Sequence, residues 1–151
     1  MAFPRATCEG YLRRYVLLAA VTSTEDAAHG WAINLSRALK PDRIVTTDEV
    51  LCEYLAFFAG ARPSVRAQAA KNVADLMKND TVRVVPQSRE SFLAGLELYR
   101  ARPDKGYSLV DCISMQTMRR DGLTEVLTND RHFEQEGFRA LFRDSGAGPA
   151  R

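Results

Sequence analysis

The sequence predicts an α/β domain in which a short parallel sheet is covered by helices on both faces. Short segments rich in β-branched residues alternate along the chain with longer segments that carry apolar residues at helical spacing. Parallel sheets bury both faces and need crossover connections, usually helices, so this alternation is typical of them. The chain has 151 residues, 46% of them hydrophobic, which is enough for one such domain with a real core and not for two.

The elements follow in order from position 15, after a segment, 1–14, that shows no clear period. The apolar run 15–21 is compatible with a strand or a short helix. The predicted helices are 27–39, 47–58, 62–78, one capped by Ser88 that turns Phe92, Leu96 and Tyr99 inward, and one from Ser108 to Asp121; the predicted strands are 44–46, 82–85, 125–128 and an edge strand at 138–142. The predicted domain is therefore 15–142, followed by a flexible tail at 143–151.

The amino-acid composition excludes few classes of function. The net charge of +2 offers no bulk electrostatic argument for nucleic acid, although 17 of the 21 basic residues are arginine, the better residue for planar phosphate contacts. Cys8, Cys52 and Cys112 show neither metal-binding nor disulfide spacing, so reduced thiols in a cytoplasmic protein are expected. The apolar run 15–21 is far too short to span a bilayer, and no membrane association is predicted.

Two aspartates are predicted to meet at one edge of the sheet. Ser108 is a good helix N-cap, and Asp111, three residues later, can return a hydrogen bond to it. Asp130 follows the strand that comes after this helix. Because the helix runs antiparallel to the strands, its start and the end of the next strand lie at the same edge, where open α/β sheets bind ligands. The alternative is that neither residue is functional, so that Asp111 only caps the helix and Asp130 only belongs to a turn.

Glu53 is a third carboxylate in an unusual place. It stands within the apolar stripe of the helix 47–58, which Val50, Tyr54, Phe57 and Phe58 define. A glutamate among core positions is expensive to bury unless it finds a cation or hydrogen-bond donors. Glu53 is therefore either functional or a partly exposed residue at the rim.

These residues resemble a known family. The segments LVDCISMQTMRRDGLTEVLTNDRHFEQEGF at 109–138 and IVTTDEVLCEYL at 44–55 resemble PIN domains, in particular the VapC-like nuclease toxins of bacterial toxin–antitoxin pairs. The resemblance implies a three-layer α/β/α fold, a Mg²⁺ or Mn²⁺ site and the hydrolysis of RNA. It implies that Glu53, Asp111 and Asp130 are the catalytic and metal-binding carboxylates. A homodimer and a restraining antitoxin would follow from the same resemblance.

The same matching assigns the neighbours of the carboxylates. Thr128 and Asn129 would line the strand end, and Ser108 would cap the helix beside the site. Basic residues near this edge could follow an RNA backbone, or could simply belong to solvated helix faces: Arg100, Arg102, Lys105, Arg119, Arg120 and Arg131. Tyr107 either stacks on a base or packs as a hydrophobic staple. His132 is expected to pack at the turn or to touch a phosphate.

One family feature is missing. The first strand of the family ends in an aspartate, and counting back from the matches at Asp26 and His29 puts that position near Arg14. Glu9 could replace the aspartate, or Glu25 or Asp26 could do so if 15–21 is the first strand. Loss of the ligand is favoured, with an arginine neutralising the remaining acids. An alternative function follows, namely an impaired PIN-like module that binds RNA or a protein partner.

Physical chemistry supports a metal independently of the resemblance. Two carboxylates about 5 Å apart repel each other by roughly 3 kcal/mol at an effective dielectric constant of 20. Oxygen ligands favour Mg²⁺ or Mn²⁺, and such ions activate water and stabilise charge on phosphate. The expected reaction is in-line attack of water on an RNA phosphodiester, without a covalent enzyme intermediate.

Overall fold

Five parallel strands form one sheet in the part of the chain that the computed structural model describes, residues 15–18, 43–128 and 130–141. The strands are β1 Tyr15–Leu18, β2 Arg43–Thr47, β3 Val82–Val85, β4 Glu125–Leu127 and β5 Arg139–Ala140, in the order β3-β2-β1-β4-β5. The parallel sheet is confirmed, and β5 is the edge strand predicted at 138–142, only shorter. The predicted helix 27–39 and the predicted end of the domain at 142 lie outside the described residues, and the domain limits stay a prediction.

Helices connect β2 to β3, β3 to β4 and β4 to β5. They are α1 Asp48–Phe57, α2 Pro63–Met77, α3 Arg89–Ala101, α4 Leu109–Asp121 and the short α5 His132–Gln135. Local chemistry sets their ends: Thr47 and Ser88 cap α1 and α3 through their side chains, and Gly122 ends α4 in the left-handed conformation with φ of 68°. None of the described helices is long and apolar enough to cross a membrane.

Adjacent residues of the same strand lie in two separate hydrophobic cores. Val45 and Val126 lie in a core with residues of α3, α4 and α5, whereas Ile44 and Leu127 lie in a core with residues of α1 and α2. Since successive side chains of a strand point to opposite faces, the sheet is covered on both sides. The three-layer α/β/α architecture of a PIN-like domain, with its short central sheet, is thus confirmed.

The strand order identifies the edge at which a ligand would bind. From the central β1 the chain builds β2 and β3 on one side, and β4 and β5 on the other; Leu18 of β1 is in register with Leu127 of β4. The order therefore reverses between β1 and β4. In open α/β sheets, ligands bind beyond the carboxyl ends of the strands at this point.

Two predictions of inward-facing side chains are wrong. Phe92 and Tyr99 of α3 are 36% and 49% exposed, and Gly95 and Leu98 are buried in their place. A Cβ atom on Gly95 would lie 2.4 Å from Cγ1 of Ile113, so α3 and α4 are in close contact at this glycine. The crossing turns α3 so that Gly95 faces α4 and the larger aromatic residues remain at the surface. On α1, Phe57 is likewise exposed, whereas the next residue, Phe58, is buried.

Candidate metal centre

Asp111 is held at the start of α4 by a reciprocal pair of hydrogen bonds. The backbone N–H of Ser108 donates to Oδ2 of Asp111 at 2.9 Å, and the N–H of Asp111 donates to Oγ of Ser108 at 3.0 Å. This is the predicted capping box. Ser108 therefore orients the carboxylate, which points from the first turn of α4 towards the edge of the sheet.

Burial raises the pKa of Asp111 above its usual value, and the nearby charge of Asp130 raises it further, although the hydrogen bonds from Ser108 oppose this. No lysine or arginine among the described residues forms an ion pair with either aspartate. The carboxylate of Asp111 is consequently in an environment where its negative charge is unfavourable without a cation.

Asp130 is fixed by the turn that follows β4. Its N–H donates to Oγ1 of the buried Thr128 at 3.0 Å, and the N–H of His132 donates to Oδ1 of Asp130 at 2.9 Å. Thr128 thus positions Asp130, which refines the role expected for it at the strand end. Asn129 lies outside the described residues.

Asp111, Asp130 and His132 form a group that could hold a metal ion. Each offers one ligand atom, and these three atoms lie within 4.8 Å of one another. Nδ1 of His132 is 3.1 Å from Oδ2 of Asp130. Around a small divalent ion with bonds of about 2.1 Å, neighbouring ligands of an octahedron stand about 3 Å apart, which this pair matches. The structure therefore brings the two predicted aspartates together.

His132 is the member of the group whose role the sequence did not predict. Its ring packs against the ring of the buried Tyr107 in an edge-on geometry, with the centroids 5.2 Å apart. Its Nδ1 atom is buried and lacks a hydrogen bond of good geometry, despite its proximity to Asp130. The available signal was the spacing of two residues from Asp130, which lets an aspartate side chain accept the backbone N–H two positions on.

Glu53 lies near this group without joining it. It is half-buried on α1, and its pKa is raised by burial and, to a smaller extent, by the charge of Asp111. It does not form a set with Asp111 and Asp130 of the compactness that these two reach with His132. Its role as a direct ligand stays a prediction.

Of the other predicted site residues, some are exposed to solvent and others already form ion pairs or pack in the core. Arg131 is exposed just before α5, where it could meet a phosphate. Arg102 and Arg119 both pair with Glu136, at 2.8 and 2.6 Å, and Arg120 pairs with Asp121 at 2.9 Å. These three arginines therefore have structural partners. Tyr107 is buried in the core, which favours the packing role over the stacking of a base.

The structure also bears on the missing first aspartate. The central strand β1 begins at Tyr15 and ends at Leu18, so Arg14 precedes this strand in the sequence and does not follow it. The assignment of the family position to Arg14 does not agree with this strand. The residues that follow Leu18 in the sequence are Ala19 and Ala20, neither of which has a ligand atom.

Of the three explanations for the missing ligand, one required the apolar run 15–21 to be the first strand. That condition is met over Tyr15–Leu18. The candidates Glu9, Glu25 and Asp26 all lie outside the described residues, and their roles stay predictions.

Comparison with known proteins agrees with this geometry. The family model of the PIN domain matches residues 14–138. The crystal structure of VapC20 from Mycobacterium tuberculosis, a toxin that cleaves the sarcin-ricin loop, superposes with a TM-score of 0.65 at 25% identity, covering 81% of this chain and 95% of VapC20. No curated protein matched at a significant level. The chain belongs to the PIN domain family.

Proposed function

We propose that this protein is a metal-dependent endoribonuclease of the VapC type, which hydrolyses RNA phosphodiesters. The convergence of Asp111, Asp130 and His132 at the carboxyl edge of the sheet, with no lysine or arginine of the described chain paired to either acid, carries the proposal. Membership of the PIN family and the similarity to an RNA-cleaving toxin support the class of reaction. Phosphodiester cleavage requires charge stabilisation, which a divalent ion at these acids would supply.

The donor set fits Mg²⁺ or Mn²⁺. Asp111 and Asp130 would contribute carboxylate oxygens and His132 its Nδ1, with Glu53 close by as a further carboxylate. When bound, such an ion lowers the pKa of coordinated water and stabilises charge on a phosphate. Ser108 and Thr128 keep the two aspartates in position. An imidazole ligand favours Mn²⁺ over Mg²⁺, which prefers oxygen.

Cleavage of a labelled RNA by the purified protein tests the proposal. We expect cleavage with Mg²⁺ or Mn²⁺, none in EDTA, and none in the Asp111→Asn variant, which retains an oxygen to accept the hydrogen bond from Ser108. Equal cleavage by the variant and the wild type, or cleavage in EDTA, would show that another activity or a contaminant is responsible.

A catalytically impaired binding module is the second candidate function. It is favoured by the sequence that follows β1, because Ala19 and Ala20 stand where the family carries its aspartate if that residue directly follows the strand. Binding of RNA without cleavage in the presence of either metal would select this candidate.

We also propose that the protein acts in the cytoplasm as a toxin restrained by an antitoxin, and that it forms a homodimer. Large apolar side chains exposed on the first three helices support a protein interface: Leu55, Phe57, Met77, Leu93 and Tyr99. Sedimentation of the purified chain across a concentration series tests the dimer, which would be contradicted by a single species of monomer mass.

A further inference from the structure

A pocket lies beside the acidic group, between the first turns of three helices. Its volume is about 490 Å³, and its lining includes Glu49 of α1, Arg89 and Phe92 of α3, and Leu109 and Val110 of α4. Pockets of roughly 300–1,000 Å³ with apolar walls and a few polar groups are typical of ligand sites. The pocket is thus large enough for a nucleoside.

Residues that line the pocket neighbour the acidic residues on α1 and on α4. Val110 directly precedes Asp111 in α4, so their Cα atoms are about 3.8 Å apart. Glu49 stands four residues before Glu53 on α1, about 6 Å along the helix axis. The N–H of Gln87, after β3, donates to Oδ2 of Asp48 at 2.9 Å, which ties the end of β3 to the start of α1. An RNA with a phosphate at Asp111 could therefore place the neighbouring nucleoside in this pocket.

The lining chemistry suits a nucleobase. Phe92 presents a partly exposed ring, with the guanidinium carbon of Arg89 5.2 Å from its centroid. Bases stack on aromatic rings and on guanidinium planes, and the charge of Arg89 would attract a phosphate. The carboxylate of Glu49 can accept hydrogen bonds from the amino group of a base. An aliphatic segment of a protein partner would use neither charge.

We propose that this pocket is a base-recognition subsite for the RNA, which selects bases that carry an exocyclic amino group. Adenine, cytosine and guanine have such a group and uracil lacks it. This inference rests on the proposed ribonuclease function, of which it specifies the substrate, with Phe92 as the stacking platform and Glu49 as the group that determines specificity.

Binding of fluorescein-labelled ten-nucleotide oligo(A), oligo(C) and oligo(U), measured by fluorescence anisotropy in the Asp111→Asn background, tests the subsite. We expect oligo(A) and oligo(C) to bind more tightly than oligo(U). Phe92→Ala should weaken the binding of all three about tenfold or more, as for other stacked bases. Phe92→Tyr, which keeps the ring, should retain binding, whereas Phe92→Leu should not.

Glu49→Gln tests specificity. It should remove most of the preference for oligo(A) and oligo(C) over oligo(U), whereas Glu90→Gln, which changes an acid in the first turn of α3, should preserve it. Glu97→Ala truncates an exposed side chain of the same helix outside the pocket and should not weaken RNA binding. Equal losses of RNA affinity in Phe92→Ala and Glu97→Ala, or a change confined to the oligomeric state, would overturn the proposal.

The outcomes for catalysis and for the subsite are separable. A wild-type protein that cleaves no RNA, with variants that still alter binding as expected, would contradict the ribonuclease function and leave the subsite supported. Cleavage by the wild type with no effect of Phe92 or Glu49 on binding would overturn the subsite alone.

Discussion

Glu136 and the Asp111–Asp130 pair are two acidic groups near each other, and among the described residues only Glu136 is paired with arginine. Glu136 accepts hydrogen bonds from Arg102 at 2.8 Å, from Arg119 at 2.6 Å and from the hydroxyl of Tyr107 at 3.0 Å. Burial alone would raise the pKa of Glu136, but the donors outweigh it and the pKa is lowered. At Asp111 the balance is reversed, and the pKa is raised.

The difference separates a structural acid from a candidate functional one. The side chain of Glu136 is 5% exposed, and its charge is satisfied by two guanidinium groups. The acids at the sheet edge have His132 as their neighbour, and no lysine or arginine of the described chain forms an ion pair with them. Acids whose charge is left unfavourable in a cleft are typical of functional sites. Tyr107 links the clusters, since its hydroxyl binds Glu136 and its ring packs on His132.

The largest effect should come from replacing the carboxylate of Asp111 by an amide. Asp111→Asn should lower RNA cleavage about 10³-fold, because several kcal/mol of charge stabilisation depend on the ion. It should leave the melting temperature at pH 7 unchanged or higher, since the charged form of Asp111 is disfavoured in the fold. Initial cleavage rates and calorimetry measure both effects.

The matched exchange Glu136→Gln should give the opposite pattern, a loss of stability with cleavage within a few-fold of the wild type. If instead both variants lost activity and stability together, the division into structural and functional acids would be wrong.

The second effect is stabilisation by metal. At a concentration about 100 times its Kd, a divalent ion that binds only the folded state stabilises it by about 2.7 kcal/mol. For a domain of this size, this corresponds to a rise in melting temperature of about 5–10 °C. Thermal unfolding with added Mn²⁺ should show this rise in the wild type and in Glu136→Gln.

Variants of the proposed metal ligands are the control for this measurement. Asp111→Asn should reduce the shift in melting temperature strongly. His132→Asn should reduce the shift more with Mn²⁺ than with Mg²⁺, because an imidazole ligand favours Mn²⁺. An undiminished shift in both variants would place the ion elsewhere.

Local signals predicted most of the fold. Helix caps and β-branched segments are local signals, because they depend on neighbours within four residues. The structure has α1, α2, α4 and β3 at the positions that these signals predict. The meeting of Asp111 and Asp130 was also predictable, because the antiparallel run of a helix against parallel strands is a rule of the topology.

Features that depend on distant partners were not predicted. Glu136 is separated by 34 residues from Arg102 and by 29 from Tyr107, and no local pattern joins them. The orientation of α3 was misjudged because the contact of Gly95 with Ile113 on α4 decides it. The position of His132 beside Asp111 could not be predicted for the same reason, since it arises only in the folded chain.

A third and smaller effect should come from the Glu136 cluster. Glu136→Gln removes the charge shared by two arginines, both of them partly exposed, and weakens the acceptor of the Tyr107 hydroxyl. We expect a loss of about 1–2 kcal/mol in the free energy of unfolding, measured by urea denaturation. Glu97→Gln, at an exposed position of α3, should change stability by less than about 0.5 kcal/mol. Equal losses in the two variants would contradict the structural role of Glu136.

The smallest effect is a difference in pH dependence, and its sign distinguishes the clusters. The pKa of Glu136 is lowered in the fold, so its contribution to stability is present above the unfolded value near 4.5 and is lost as pH falls through the folded value. The stability gap between the wild type and Glu136→Gln should therefore shrink below about pH 5, by on the order of 1 kcal/mol. The pKa of Asp111 is raised, so the metal-free wild type should gain stability relative to Asp111→Asn as pH falls from neutral into the same range. Urea denaturation of the three proteins between pH 3.5 and 7 measures both trends, and parallel curves would mean that the two acids titrate alike in the folded and unfolded chains.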